Sequence, residues 1–161
     1  MSCSKTTGHP NSWHLTLRAA LLAAALLLHA TTASAQDGVL IIVGKQQTAS
    51  ALSIKELRAI FTMRLREWPG SRIPIKVFVL RQDNAVHARF SKDLLNAYPH
   101  QLQAGWDRLV YSGTGEAPKA VDSEAQMLEA IANTPGAIGY LSPTYLQEGN
   151  RHDSVKAISV Q

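Results

Sequence analysis

Residues 75–84, IKVFVLRQDN, give the strongest strand signal in a sequence of 161 residues. The run from Ile75 to Leu80 is apolar at every position but Lys76 and is rich in β-branched side chains, which is typical of a buried strand. Asp83 or Asn84 can then cap a following helix. The segment therefore predicts a strand that leads directly into a helix, the repeating unit of α/β proteins.

The segments upstream of this unit fit the same pattern. VLIIVG at 39–44 is a short apolar run that predicts a buried strand. Ser53 and Glu56 form a capping box, in which the hydroxyl and the carboxylate each accept a hydrogen bond from a free amide of the first turn. Apolar residues recur behind this box at helical spacing, so we expect a helix from about 53 to 64.

The segments downstream continue the alternation of helices and strands. The expected elements are helices from Asn84 to about 97, from Pro99 and from Asp122 or Ser123, a strand at 137–141, and a weakly alternating edge strand at 155–160. Because helices separate most of the strands, the order predicts a three-layer α/β/α sandwich.

The first 35 residues have the pattern of a secretory signal peptide. Lys5 and Arg18 are their only charges, and the apolar stretch that follows ends at the A-x-A cleavage site 33–35. The uninterrupted apolar core from Ala19 to Leu28 is shorter than the roughly 20 residues that span a bilayer, which argues against a membrane anchor. We expect cleavage near Ala35, a periplasmic or secreted product, and a single domain at 36–161.

Composition and spacing exclude several functional classes. Without the leader the chain has 14 basic and 12 acidic residues and no basic cluster longer than two, so nucleic-acid binding is not predicted. The single cysteine, Cys3, lies in the leader. His87, His100 and His152 lack metal-ligand spacing, and each is expected to be an ordinary surface or helix residue. We find no nucleophile elbow and no cofactor motif, so we predict a non-enzyme.

A candidate anion site lies where the strand at 75–84 meets its helix. Arg81 supplies a guanidinium that can hold an oxyanion through two hydrogen bonds, and the free amides near Asn84 carry partial positive charge. Asp83 can accept a hydrogen bond from a protonated oxyanion, and Ser112 or Thr114 can complete the pocket. The competing interpretation is that Asp83 only caps the helix while Arg81 pairs with a surface carboxylate.

Other conspicuous residues are interpreted as structural. Trp68 and Trp106 can stack on a ligand, but at a helix end and on a helix face they are expected in the core. Gly136 and Gly139 suit a tight turn and a close approach of backbones. The loop 112–115 has the glycines of a phosphate loop, but it lacks the lysine and does not open a helix.

Several motifs follow one another in an order and spacing that is more specific than any one of them. They are LSIKELRAIFTMRLREWPG at 52–70, IPIKVFVLRQD at 73–83, FSKDLL at 90–95, the Gly-rich loop, and TPGAIGYL at 134–141. In this respect the chain resembles one lobe of the bacterial phosphate-binding proteins, which are type II periplasmic binding proteins of ABC transporters. The resemblance covers about 39–145 and implies that phosphate or a related oxyanion binds near Arg81 and Asp83.

The chain also departs from the pattern of that family. Family members clamp the ligand between two lobes, whereas here the chain passes almost directly from Gly44 to Leu52, and most of the first lobe is missing. The segment 84–87, Asn-Ala-Val-His, stands where the family has a Ser-Gly-Thr run. The hydroxyl-rich loop after the first strand is reduced to 45–48, Lys-Gln-Gln-Thr.

Two functions are consistent with these motifs and departures. The first is an exported solute-binding-like protein that holds phosphate or a similar oxyanion weakly and delivers it to an ABC-type membrane transporter or presents it to a sensor. The second is an interaction module without a ligand, which docks to a membrane or periplasmic partner or forms a homodimer through the surface of the missing lobe. A polar pocket around Arg81 favours the first function, and an apolar patch there favours the second.

Overall fold

A mixed β-sheet lies at the centre of the protein. The computed structural model describes residues 38–149 and 153–161, so the predicted signal peptide and His152 lie outside the described residues. The elements in chain order are β1 (Leu40–Gly44), β2 (Ala51–Leu52), α1 (Ile54–Phe61), β3 (Lys76–Leu80), α2 (Ala85–Asp93), α3 (Pro99–Tyr111), β4 (Lys119–Val121), α4 (Glu124–Asn133), β5 (Ala137–Leu141), α5 (Pro143–Gln147) and β6 (Val155–Val160).

The direction of the strands divides the sheet into two halves. The strand order is β2-β6-β1-β5-β3-β4. β3 is parallel to both β4 and β5, whereas β1 is antiparallel to β5 and β6. The carboxyl ends of β3, β4 and β5 therefore meet at one edge, here called the carboxyl edge, which comprises residues 81–84, 122–124 and 142. The amino edge, at the opposite ends of these strands, comprises residues 74–76 and 112–116.

The strand at 155–160 is not an edge strand, which corrects the expectation from its weak alternation. β6 lies between β2 and β1, with Ile158 opposite Ile41 and Val160 beside Leu52. Its outer neighbour β2 has only two residues and leaves no periodic pattern in the sequence. β4 has three residues, two of them exposed, and is likewise too short to leave a periodic pattern, so the sequence shows no strand signal in the Gly-Pro loop.

Helices cover both faces of the sheet. On one face α4 packs against Gly139, where a Cβ atom would collide with the Met127 side chain and lie close to that of Ile131. On the other face the Tyr140 ring stacks on Phe90 of α2 with ring centroids 3.9 Å apart, and α1 contributes the ring of Phe61. The predicted three-layer α/β/α sandwich is therefore confirmed.

Side-chain caps begin the helices where the sequence places them. Ser53 and Glu56 form the predicted capping box, with both reciprocal bonds present. The N-cap of α2 is Asn84, whose Oδ1 accepts from the Val86 amide at 2.8 Å. α2 ends at Asp93, four residues before the predicted end, and Asn96 adopts a left-handed conformation with φ of 53° in the turn that follows.

Trp68, Trp106 and Gly136 have the structural roles that were expected. Both indoles are buried, and their N–H groups donate to backbone carbonyls, Trp68 to Gly136 at 3.0 Å and Trp106 to Phe61 at 2.8 Å. Gly136 has φ of +75°, and a Cβ atom there would collide with the Pro74 carbonyl. The turn before β5 is thus fixed by backbone contacts that no other residue permits.

Candidate functional site

The carboxyl edge brings together one residue from the end of each parallel strand. Arg81 follows β3, Asp122 follows β4 and Ser142 follows β5. β3 lies between β4 and β5 in the sheet, so Arg81 lies between the other two. In open α/β sheets, ligands bind in a crevice outside the carboxyl ends of the strands.

A buried tyrosine lies at the base of this edge. The paired residues of β3 and β5 are Lys76 with Ala137 and Val77 with Ile138, near the start of both strands. At the other end of β3 the Leu80 amide donates to the Tyr140 hydroxyl at 3.0 Å, not to a carbonyl of β5. The Tyr140 side chain thus takes the Leu80 amide at the end of β3, beyond the paired residues of the two strands.

The Tyr140 hydroxyl also contacts a buried histidine. His87, in the first turn of α2, is 1% exposed, and its Nδ1 lies 2.5 Å from the Tyr140 oxygen. The oxygen that accepts from Leu80 also keeps its own proton and a second lone pair, so the Tyr140–His87 bond can run in either direction, depending on the imidazole tautomer. Burial lowers the pKa of His87 and raises the pKa of Tyr140, so both groups are neutral near pH 7.

Arg81 lies in an exposed position between two carboxylates. Its Nε is 3.7 Å from Asp83 Oδ1, and its Nη1 is 3.6 Å from Asp122 Oδ1. The side chains are 62%, 82% and 69% exposed, respectively. Distances beyond 3.5 Å are long for a charge-assisted hydrogen bond, so these ion pairs are loose. Arg81 thus lies beside surface carboxylates, as in the competing interpretation, but the helix cap is Asn84 and not Asp83.

Ser142 holds a third carboxylate firmly. Its amide donates to Glu124 Oε2 at 2.6 Å and its hydroxyl donates to Glu124 Oε1 at 3.1 Å. The same hydroxyl oxygen accepts from the Tyr145 amide at 3.2 Å. Glu124 is half-buried in the first turn of α4. Both oxygens of one carboxylate are therefore bound by the two donors of a single residue.

The structure does not bring Ser112 and Thr114 to Arg81. Their hydroxyls lie 2.8 Å apart at the amino edge, and the Thr114 carbonyl accepts from Arg66 Nη2 at 2.7 Å. The five residues of β3 separate the two edges by about 16 Å at about 3.3 Å per residue. A single pocket with Arg81 is thus not formed, because α3 returns the chain to the amino edge before β4 begins.

The shortened loop after β1 also lies away from Arg81. β1 is antiparallel to β5, so its carboxyl end, and with it Lys45, is at the end of the sheet where β5 begins. There a cavity of about 580 Å³ is lined by residues including Lys45, Gln47, Thr134 and Gly136. This cavity and the Arg81 cluster lie at opposite ends of β5, so they cannot hold the same small ion.

The sequence pointed to Arg81, Asp83 and Asn84 as candidates, but it did not predict the side chains that contact the end of β3. Asp122 was expected only as a helix cap, His87 as an ordinary histidine, and Ser142, Glu124 and Tyr140 were given no role. Asp122 and Ser142 carry a usable signal, since each polar residue directly follows a strand of the parallel half. No spacing in the sequence could indicate that Tyr140 replaces a strand carbonyl.

Two features are absent from the described residues. Residues 38–149 and 153–161 contain no group of three or more His, Cys, Asp or Glu side chains placed to hold a metal ion. The same residues contain no helix with the length and apolar character needed to cross a membrane.

Solved structures share this fold although the sequence matches none of the known families. No family model matches, and no curated protein matches by sequence. Similar structures include an ABC-type phosphate transport receptor from Vibrio cholerae (19% identity, TM-score 0.54, 76% of this chain and 46% of that chain). PstS from Borrelia burgdorferi is also similar, with 14% identity and a TM-score of 0.58 over 76% of this chain and 47% of that chain.

A third similar structure is described as a phosphate ABC transporter substrate-binding protein with bound phosphate, from Clostridium perfringens. It has 20% identity and a TM-score of 0.58, over 76% of this chain and 44% of that chain. The chain thus spans less than half of the length of these neighbours. At this identity the likeness concerns the fold, and the fold is that of one lobe of a periplasmic binding protein.

Proposed function

We propose that this protein is an exported, non-enzymatic solute-binding-like protein that holds phosphate or a related oxyanion weakly at its carboxyl edge, in association with an ABC-type uptake system. The observation that carries the proposal is the position of Arg81. A guanidinium directly follows the central parallel strand, beside the first turn of α2, in a fold shared with phosphate-binding proteins.

The loose pairing of Arg81 supports a site that a ligand can enter. Its two ion pairs are longer than 3.5 Å and more than half exposed, so an oxyanion can replace them at little cost. Asn84 caps α2 by accepting from the Val86 amide, so that donor of the first turn is already in use. The guanidinium and this turn supply donors on one side of a ligand.

Openness of the site supports weak binding. None of five prominent cavities in the described part of the chain is lined by Arg81. Exposed ion pairs contribute only about 0–1 kcal/mol each. We therefore expect a dissociation constant in the millimolar range, which corresponds to about −4 kcal/mol.

Isothermal titration of the full chain with phosphate tests the proposal. We expect saturable binding that weakens by up to about fivefold in Arg81→Ala, a loss of up to about 1 kcal/mol. The matched control is Arg72→Ala, which removes an exposed arginine near the amino edge and should leave binding unchanged. Sulfate serves as the competing oxyanion. Absence of saturable heat at millimolar phosphate, or equal weakening by Arg72→Ala, would contradict the proposal.

Export is the second part of the proposal and has a separate test. The support is the charge, apolar core and A-x-A pattern of residues 1–35. Mass spectrometry of the protein recovered from the periplasm of a Gram-negative expression host should show a chain that begins at Gln36. A full-length chain retained in the cytoplasm would contradict export.

The alternative of an interaction module has a different supporting observation. Three large apolar side chains that are well exposed, Ile73, Val110 and Tyr111, lie near the amino edge and not around Arg81. Self-association through that edge would be detected by light scattering after size exclusion. A stable dimer that Tyr111→Ser dissociates, together with absent phosphate binding, would favour the module.

A further inference from the structure

A cavity with a positive lining lies beside α1, apart from the Arg81 cluster. Its volume is about 380 Å³, and it is formed by α1, the turn after α1, the connection from α2 to α3 and the beginning of α3. Three of its lining residues are cations, Lys55, Arg58 and Arg64, and none of the described residues that line it is acidic. The lining therefore carries a formal charge of +3.

The three cations have no counterion elsewhere in the described chain. No carboxylate among residues 38–149 and 153–161 forms an ion pair with any of them. The Arg58 side chain is anchored, because its Nε donates to the Leu94 carbonyl at 3.3 Å. This bond leaves the two terminal nitrogens of the guanidinium available, and a guanidinium can hold an oxyanion through two parallel hydrogen bonds.

The turn after α1 brings Arg64 back to the cavity. α1 ends at Phe61, and Met63 adopts a left-handed conformation with φ of 60°. The chain then reverses, and the amides of Arg64 and Leu65 both donate to the Ala59 carbonyl, at 2.8 and 3.0 Å. Arg64 is therefore held beside the helix that carries Lys55 and Arg58.

Helix electrostatics explains only part of this arrangement. A cation stabilises the carboxyl end of a helix, where Arg58 and Arg64 lie. Lys55 lies in the first turn, where a positive charge is unfavourable. Residues three apart are neighbours on a helix surface, so Lys55 and Arg58 also repel each other. An anion bound between the three cations would remove this repulsion.

The rest of the lining is mainly apolar. Leu95 and Leu102, each 6% exposed, and the half-buried Ala59 and Ala97 all line the cavity. Pockets of about 300–1,000 Å³ hold organic ligands, whose apolar part is buried while a few polar groups fix the orientation. A small inorganic ion would satisfy the cations but leave this apolar surface uncovered.

We propose that the cavity binds a small organic anion with an apolar tail, of the kind represented by an alkyl carboxylate. The anionic head pairs with Lys55, Arg58 and Arg64, and the tail covers the leucine and alanine side chains. This function goes beyond the binding of phosphate at the carboxyl edge. Because Arg81 does not line this cavity, the two sites can be tested separately.

Isothermal titration of the full chain with octanoate, octylammonium and butanoate tests the inference. Octanoate and octylammonium have tails of the same length and opposite charges, whereas butanoate has the same head and a shorter tail. We expect saturable binding of octanoate and none of octylammonium. Butanoate should bind at least about tenfold more weakly than octanoate, because each buried methylene strengthens binding by about fourfold.

Variants of the cations locate the bound octanoate. Arg58→Ala and Arg64→Ala should each weaken its binding by up to about fivefold, and the double variant by at least about fivefold. The matched control is Arg72→Ala, which removes an exposed arginine outside the cavity. Arg81→Ala should also leave octanoate binding unchanged. Circular dichroism melts verify folding, and Arg58→Gln with Arg64→Gln carries the test should the alanine variants fail to fold.

Octanoate binding that the double variant weakens and Arg72→Ala does not would support the inference. Absence of saturable heat with octanoate would overturn it. Equal binding of octanoate and octylammonium would also overturn it, because the charge would then not be recognised. Equal weakening by Arg72→Ala and the double variant would place the effect in overall charge and not in the cavity. Each of these outcomes leaves the proposed function standing, since phosphate and Arg81→Ala test that separately.

Discussion

Two polar clusters lie at the carboxyl end of β3, the central strand of the parallel half of the sheet. They differ chiefly in how far their side chains are buried. The buried polar network comprises the Leu80 amide, Tyr140 and His87, and its hydroxyl and imidazole have partners within 3.0 Å. The exposed cluster around Arg81 begins one residue later, and its contacts are 3.6–3.7 Å long. One step along the chain thus separates groups that are shielded from water from groups that remain solvated.

This difference teaches that the two clusters contribute to different properties. A buried hydrogen bond that loses a partner costs about 1–3 kcal/mol, whereas an exposed ion pair contributes about 0–1 kcal/mol. We therefore assign stability to the Tyr140 network and ligand exchange to the Arg81 cluster. Substitutions on each side of this boundary can break or sharpen that division.

Substitution of Tyr140 should have the largest effect. Tyr140→Ala removes a ring stacked on Phe90 and should lower the free energy of unfolding by about 3–5 kcal/mol. Tyr140→Phe keeps the ring but leaves the Leu80 amide and His87 Nδ1 without their partner, at a cost of about 1–3 kcal/mol. Urea unfolding measures both. The control Tyr111→Phe, at a side chain 90% exposed, should change little, and an equal cost there would refute the role of burial.

Protonation of His87 at acidic pH should have the next largest effect on the free energy of unfolding. Burial lowers the pKa of His87 in the folded state, so the unfolded state binds more protons once the pH falls below about 6.5. The contribution of neutral His87 to the free energy of unfolding is fully present above that pH. It is lost as the pH falls toward the folded pKa, with a slope of at most about 1.4 kcal/mol per pH unit. Urea midpoints between pH 7 and 5 measure this decline.

Two variants isolate the contribution of His87 to that pH dependence. His87→Gln should flatten the decline between pH 6.5 and 5, whereas His100→Gln, at an exposed position, should not. Glu56 titrates in a lower range, because its bonds from Ser53 hold the carboxyl pKa below its ordinary 4.5. A decline that persists in His87→Gln would place the titrating group elsewhere.

Asn84 lies at the boundary between the two clusters and should show an intermediate effect. Its Oδ1 caps α2, so Asn84→Ala should cost about 1 kcal/mol of stability. Asp83→Ala, one residue away, should cost less than about 0.5 kcal/mol because Asp83 is not the cap. Thermal melts of the two variants compare them directly. Equal losses would mean that the cap is assigned to the wrong residue.

Arg81 should have the smallest effect on stability. Arg81→Ala removes only the two loose exposed ion pairs, so its free energy of unfolding should remain within about 0.5 kcal/mol of the unsubstituted chain. Urea unfolding of the same preparation used for titration gives this value. A loss above about 1 kcal/mol would show that the guanidinium stabilises the fold. Weaker phosphate binding by Arg81→Ala would then be no evidence for a contact between Arg81 and phosphate.

The sequence predicts long elements well and the arrangement of the site poorly. The strand 75–80, the capping box at Ser53 and the strand 137–141 carry strong local signals of periodicity and capping, and the structure has all three. The Ser112 loop was expected beside Arg81 because β4 is too short and exposed to be recognised. Without β4, nothing in the pattern shows that this loop opens a parallel strand at the far edge.

The relations between side chains are also beyond sequence reasoning. Glu124 and Ser142 are 18 positions apart, and Leu80 and Tyr140 are 60 positions apart. Their contacts follow from the way two crossovers bring strand ends together, which depends on the whole topology. Local patterns therefore predict Arg81 as a candidate but cannot predict which carboxylates surround it.

The inner position of β6 has a consequence for how fast this protein folds. β6 lies between β2 and β1 and pairs with both strands. The Ser159 hydroxyl donates to the Ser50 carbonyl, 109 positions away in the sequence. The first amide of α1, at Ile54, donates to the Gln161 carbonyl at 2.9 Å. Pairings between such distant segments carry a large loop-closure entropy and slow the folding of a domain. Any chain in which β6 has not yet paired leaves one side of β1 open, and an open strand side can pair with another chain.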